Sequence, residues 1–136
     1  MTDGEGYVLG GLTCPANESD MSKLKELLER VKLSEGNYIL GDKGFASKKN
    51  REYIKSKGYK DLIMHKKPKG KEIPIGLKLL NKIISKIRYV VEQTIGILKK
   101  HLGLERFRYI GRCKNEMELY LSGIVLNLKK AARKMC

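Results

Sequence analysis

The sequence predicts an α/β fold, because short apolar runs alternate with longer amphipathic stretches. Tyr38–Leu40 is an apolar run that ends in a glycine-flanked turn, and Leu62–Met64 is a second short run of the same kind. Between them a helix is predicted to begin after Ser47, as its cap, and to stop at Gly58. Strands that alternate with helices are typical of a sheet flanked by helices, and residues 1–136 are short enough to form a single domain.

The N-terminal part adds a third strand and a first helix to this prediction. Tyr7–Thr13 is apolar and glycine-containing, and it should leave the sheet at Pro15. A helix should begin at about Ser19 or Asp20 and stop at Gly36. Its inner face is predicted from helical spacing to comprise Leu24, Leu27, Leu28 and Val31.

Two long helices are predicted in the second half of the chain. The first runs from about Ile75 to Leu102, and the second from about Asn115 to Arg133. The first should carry one continuous apolar stripe, formed by Leu77, Leu80, Ile84, Ile87, Val91, Ile95 and Leu98. The second should face inward with Met117, Leu121, Ile124, Val125 and Leu128.

A narrow polar strip lies beside the apolar stripe of the first long helix. At 100° per residue it contains Asn81, Ser85, Arg88, Glu92 and Lys99. Glu92 is the only acidic residue between Ile75 and Leu102, among many lysines. A lone carboxylate in basic surroundings suits a metal ion bound near phosphate. The alternative is that Glu92 simply pairs with Arg88 one turn earlier, an exposed contact worth ~0.3–0.5 kcal/mol.

A second candidate carboxylate is Asp42, at the C-terminal end of the predicted strand Tyr38–Leu40. Asp beside Gly is also ordinary turn chemistry, so this position does not indicate a site by itself. The two histidines, His65 and His101, have no matching ligands at metal-binding spacing.

The net charge of the chain indicates the class of molecule that it binds. With 29 Lys and Arg against 15 Asp and Glu, the net charge is +14, which favours binding to nucleic acid. No apolar run reaches the ~20 residues that span a bilayer, and the first residues do not resemble a signal peptide, so a cytoplasmic protein with no membrane partner is expected. Cys14, Cys113 and Cys136 are widely spaced and are expected to be reduced thiols.

Three blocks of the sequence resemble a known family. They read PANESD from Pro15, GDKGFAS from Gly41, and NKIISKIRYVVEQTIG from Asn81 to Gly96. Together they resemble the DDE transposases of bacterial insertion sequences, in the group named for insertion sequence five. The family spacing of Arg, three residues, Glu, six residues and Lys is matched by Arg88, Glu92 and Lys99.

The resemblance implies a ribonuclease-H-like fold, a mixed sheet flanked by helices, of which this chain would be the C-terminal portion. Tyr7–Thr13, Tyr38–Leu40 and Leu62–Met64 would be its third, fourth and fifth strands, with the first strands missing. An unpaired sheet edge would then invite pairing with another chain. The partner would be a second copy of the chain or a separately encoded N-terminal part of the transposase.

The resemblance also implies DNA strand cleavage and transfer at insertion-sequence ends, with two Mg²⁺ ions ~3.5–4 Å apart. Asp42 and Glu92 would be two of the three catalytic carboxylates that hold the metal. The first catalytic Asp would precede this segment, so little activity is expected from the chain alone. Asp3 and Asp20 could in principle replace the first catalytic Asp, but Asp20 is better explained as a helix cap.

Basic residues around these carboxylates are the predicted contacts to DNA, both the transposon ends and the target. They are Arg88, Lys99, Lys43, Lys48, Lys49 and Arg51. Such contacts supply affinity without sequence readout. A solvated surface charge is the alternative for each lysine taken singly, and a non-catalytic basic domain that binds nucleic acid is the alternative function for the whole chain.

Overall fold

The computed structural model describes residues 1–15, 17–67, 70, 72–106 and 108–135. Within these residues, four α-helices and two β-strands follow one another. They are α1 (Leu24–Val31), β1 (Tyr38–Gly41), α2 (Lys48–Ser56), β2 (Lys60–Ile63), α3 (Ile75–Leu102) and α4 (Arg112–Met135). The α/β class is therefore confirmed. The missing first strands and the single-domain organisation stay predictions.

The described residues group into two compact units, each of which has its own packing. Unit 1 comprises Met1–Ala16 and Tyr89–Cys136, and unit 2 comprises Asn17–Arg88. Helix α3 contributes its first half to unit 2 and its second half to unit 1.

Unit 2 is built around a two-stranded parallel sheet with α2 as the connection. Leu40 of β1 lies opposite Leu62 of β2. Parallel neighbours require a crossover, which α2 provides. Both strands agree with the sequence prediction to within two residues at each end. The buried core of this unit is apolar and consists of Leu24, Leu28, Ile39, Ile54, Ile63, Met64 and Ile84.

Local signals place the helices of unit 2 with two corrections. The Ser47 hydroxyl accepts a hydrogen bond from the backbone N–H of Asn50, as expected of the cap of α2. Before α1, Ser19 caps a short 3₁₀ turn, so Asp20 lies inside that turn and is not its cap. The prediction that α1 continues to Gly36 was wrong, since it ends at Val31 and the next residue, Lys32, adopts a left-handed conformation with φ of 47°.

Unit 1 has no strand among its described residues, so the prediction of a strand over Tyr7–Thr13 was wrong. A single antiparallel bridge joins Val8 to Thr2. The Asn127 side chain of α4 accepts from the Val8 N–H at 2.8 Å and donates to the Val8 carbonyl at 2.9 Å. The Asn127 amide therefore pairs with the backbone groups of Val8 that a neighbouring strand would otherwise pair with.

The inner face of α4 also differs from the prediction. Met117, Leu121, Ile124, Val125 and Leu128 were expected to face inward, yet all are exposed, by 41–65%. Gly123 and Leu126 are buried instead. A Cβ at Gly123 would lie 3.1 Å from the Val8 side chain, so the missing side chain lets the N-terminal segment approach this face.

The continuous stripe expected along α3 is interrupted. Ile84 and Leu98 are buried, but Ile87 and Ile95 are 45% and 44% exposed. The helix packs in unit 2 before Arg88 and in unit 1 after it, so one straight stripe does not describe both halves. The observed bounds of α3 are those predicted. Within the described residues no helix is long and apolar enough to cross a membrane.

Candidate functional site

Asp42 lies where β1 ends, as the sequence predicts. Its carboxylate accepts a hydrogen bond from the Lys43 backbone N–H at 2.6 Å and caps the 3₁₀ turn Lys43–Phe45. The side chain is 52% exposed, so this capping contact leaves it accessible from solvent. Asp42 therefore serves in a turn, as the alternative interpretation expects, and its carboxylate is still accessible from solvent.

Arg88 joins the two sequence blocks that were expected to share a site. Its Nη1 lies 3.4 Å from Oδ1 of Asp42 and 3.6 Å from the sulfur of Met64, all within unit 2. The guanidinium is only 23% exposed, so its position is set by packing as well as charge. A long basic side chain of α3 is thereby held at the end of β1.

Asn81 fixes α3 to the chain that follows β2. Its Oδ1 accepts from the His65 N–H at 2.8 Å, and its Nδ2 donates to the His65 carbonyl at 3.0 Å. The side chain is buried. A buried amide with both ends paired specifies one register, because a shift of α3 would leave backbone polar groups without partners. The sequence placed Asn81 on the polar strip but did not reveal this role.

Glu92 and Lys99 belong to unit 1, on the second half of α3, and both are exposed. The structure thus brings Asp42 and Arg88 together in unit 2. The assignment of Glu92 and Lys99 to a site stays a prediction.

The basic residues near Asp42 fall into two groups. Lys43, Lys48 and Lys49 are exposed, and the Lys48 ammonium lies 3.8 Å from Glu52. Arg51 is engaged within the fold instead. Its Nη1 lies 2.6 Å from a carboxylate oxygen of Asp61, which is only 8% exposed.

The Arg51 guanidinium also donates to the carbonyls of Ile63 and Met64, at 3.0 and 3.3 Å. It therefore ties α2 to the end of β2. The prediction that Arg51 contacts DNA is untested, but the geometry gives the side chain a structural role. The sequence offered no signal for this pair, because Arg51 and Asp61 lie ten positions apart on different elements, α2 and β2.

Sequence comparison decides the family. Residues 1–128 match the family described as the transposase DDE domain. The chain belongs to this family. A transposase for insertion sequence element IS1106, from Neisseria meningitidis serogroup B, is 35% identical over 134 residues. That alignment covers 98% of this chain and 46% of the relative, so the chain spans about half the length of the curated relative it matches. No solved structure matches.

The resemblance stated from the three sequence blocks is confirmed by this match. DDE transposase domains imply a ribonuclease-H-like fold, which agrees with an α/β chain containing a parallel β-α-β unit.

The residues present do not by themselves form a metal centre for such a domain. Asp42 offers the oxygen donor that Mg²⁺ prefers. Within the described part of the chain, however, no three His, Cys, Asp or Glu side chains are grouped so as to hold a metal ion. Asp42 lies beside a guanidinium cation instead, at 3.4 Å.

Proposed function

We propose that this chain is part of the catalytic domain of a transposase, which acts in DNA transposition by strand cleavage and transfer at insertion-sequence ends. One observation carries the proposal. Arg88, one turn before Glu92 on α3, lies 3.4 Å from Asp42, so the two motif blocks of the family meet in unit 2. Family membership over residues 1–128 supports the same function.

In this proposal Asp42 and Glu92 are two of the three catalytic carboxylates of the family, and the first is assigned to no residue of this chain. Mg²⁺ is the cation that carboxylates and phosphate oxygens would hold together. When bound, it would stabilise the attacking and leaving oxygens of phosphodiester exchange. Arg88 steadies the Asp42 carboxylate through their contact. The chain alone is then expected to bind DNA but to cleave it weakly.

Lys43, Lys48 and Lys49 are the proposed contacts to the DNA backbone on unit 2. Lys48 and Lys49 form the first turn of α2, which has no acidic residue. Cations at a helix N-terminus oppose the helix dipole, so a phosphate there would relieve an unfavourable arrangement. Lys99 on unit 1 is proposed to bind the backbone in the same sequence-independent way.

Nicking of short duplex DNA tests the catalytic part of this proposal. We expect weak nicking that requires Mg²⁺ and is abolished by Asp42→Asn and by Glu92→Gln, while the exposed control Glu35→Gln leaves it unchanged. Nicking that survives both substitutions would refute the assignment of the carboxylates. Asp20→Asn should also be neutral, because Asp20 lies in a 3₁₀ turn capped by Ser19.

The salt dependence of duplex binding tests whether Lys43, Lys48 and Lys49 contact the DNA backbone. Removing three phosphate contacts should make the slope of log K against log salt less steep by ~2.7, at about 0.9 per contact. The variant replaces Lys43, Lys48 and Lys49 with Ala. The matched control replaces three other exposed lysines of unit 2, namely Lys55, Lys82 and Lys86. Equal changes in the two triple variants would show that the charges act without a defined surface.

A non-catalytic nucleic-acid-binding domain is the second candidate, favoured by the net charge of +14. It predicts salt-sensitive binding that is indifferent to Mg²⁺ and to both carboxylate substitutions. The experiments above separate the two candidates.

We also propose that another part of the transposase packs on the exposed apolar strip of α4, which consists of Met117, Leu121, Ile124, Val125 and Leu128. The relative extends well beyond the 46% of its length that this chain matches. An apolar strip this long is typical of a binding surface. Light scattering of the chain alone distinguishes this partner from a second copy. A dimer that Leu121→Asp converts to monomer would favour the second copy.

A further inference from the structure

A cleft in unit 1 combines an apolar floor with a basic rim. Its volume is about 310 Å³, at the lower end of the ~300–1,000 Å³ typical of small-ligand sites. Helices α3 and α4 both contribute to it. The lining residues are Ile97, His101, Leu126, Lys129, Lys130 and Arg133, none of them acidic.

The three α4 cations on the rim differ in what they already contact. The Lys130 ammonium donates to the carbonyls of Gly6 and Glu5 at 2.6 and 3.1 Å, so it is held by the N-terminal segment. Lys129 and Arg133 are exposed and have no acidic partner in the part of the chain that the structure describes. They lie at i and i+4, where like charges disfavour a helix by ~0.2–0.5 kcal/mol. A bound anion would relieve that repulsion.

The nearby end of α3 weakens the cationic character of the rim but does not reverse it. A helix C-terminus carries a partial charge of about −0.5, and His101 is the second-last residue of α3. Lys129 and Arg133 together carry two full positive charges. The rim therefore attracts anions.

The apolar floor of the cleft restricts which anions can fill it. Ile97 is half-buried and Leu126 is only 4% exposed, so Ile97 supplies most of the apolar surface of these two that a ligand can contact. Inorganic phosphate would use the rim alone. A nucleotide with an unpaired base offers a flat apolar face together with a phosphate, whereas duplex DNA keeps its bases stacked inside.

We propose that this cleft binds a nucleotide of an unpaired DNA strand, with the base on Ile97 and Leu126 and the phosphate at Lys129 and Arg133. The inference rests on the proposed function, in which DNA is already the partner. It adds a preference for unpaired strands and assigns that preference to unit 1. Exposed DNA strands at a cleaved end are the substrate class it would accept.

The test compares binding of a labelled oligothymidine, an abasic oligomer of the same length and a duplex by fluorescence anisotropy. The Lys129→Ala/Arg133→Ala variant should raise the Kd for oligothymidine roughly tenfold and reduce its salt slope by ~0.7, the value for one neutralised phosphate of a single strand. The control variant Lys100→Ala/Lys114→Ala removes two exposed charges from the same unit and should have a smaller effect. Wild-type chain should bind the abasic oligomer more weakly than oligothymidine. Circular dichroism checks that both variants remain folded.

Each outcome decides the inference. Equal losses in the two double variants, or equal binding of oligothymidine and the abasic oligomer, would overturn it while leaving duplex binding and the proposed function intact. Loss of binding to phosphatidylserine vesicles without loss on oligothymidine would assign the cleft to a lipid anion instead. Failure of the wild-type chain to bind any of the DNA probes would overturn both this inference and the DNA-binding part of the proposed function.

Discussion

Replacing Asn81 with Ala should destabilise the chain by roughly 1–3 kcal/mol, although Asn81 is not proposed to touch DNA. The side chain makes two hydrogen bonds to the backbone of His65, at 2.8 and 3.0 Å, and it is 8% exposed. Each such bond contributes a net ~0.5–1.5 kcal/mol. Since His65 is only half-buried, water can form some of the hydrogen bonds that its backbone N–H and carbonyl lose in the Asn81→Ala variant.

Urea unfolding followed by circular dichroism measures this loss. With an m value of ~1–3 kcal/mol/M for a small protein, the midpoint should fall by about 1 M at unchanged m. Lys82→Ala, at the adjacent exposed position of α3, should stay within ~0.5 kcal/mol. If Asn81→Ala is equally mild, the amide does not hold α3 in place, and the account of how Arg88 is positioned would have to be abandoned.

Two other substitutions test contacts within unit 2. Arg51→Ala should cost ~3–5 kcal/mol in urea unfolding, because it leaves the Asp61 carboxylate buried without its cation; a cost near that of a surface lysine would contradict the structural role given to Arg51. Burial and then the hydrogen bond to Glu29 raise the pKa of Tyr53 above about 10, so its contribution to stability is present below that pH and is lost as pH rises through the raised pKa. Glu29→Gln should lower the pKa of Tyr53 towards its ordinary value, read from tyrosinate absorbance as the difference from Tyr53→Phe; an unchanged titration would exclude the Glu29 contact in solution.

Local signals were sufficient to predict most of unit 2 from the sequence. Ser47 caps α2 through its own side chain, and β1 is a short apolar run closed by a glycine-flanked turn. These features act over a few residues and need no partner. The bounds of α3 follow in the same way from a long amphipathic pattern ended by Gly103, whose φ is +76°. Asp42 was located correctly because strand ends can be read from such patterns.

Unit 1 shows where this reasoning fails. The apolar side of α4 predicts an inward face containing Leu121 and Leu128, but the buried positions are Gly123 and Leu126. Helical spacing identifies an apolar face and does not say what covers it. Here the small Gly123 and the amide of Asn127 accept the N-terminal segment, a contact between residues more than a hundred positions apart. Long-range pairings of this kind are invisible to a local pattern.

Asp42 and Arg88, the two residues of the candidate site on unit 2, are brought together by the geometry of helix α3. Arg88 follows Asn81 by seven residues, which is two turns of α3, about 10 Å along its axis and within ~20° of the same face. Asn81 is fixed to the backbone of His65, just after β2, and Asp42 follows β1, the parallel neighbour of β2. The amide therefore sets the rotation and the height of α3 against the sheet. Because that rotation decides where Arg88 points, the contact between Arg88 and Asp42 depends on the two hydrogen bonds that Asn81 makes to the backbone of His65.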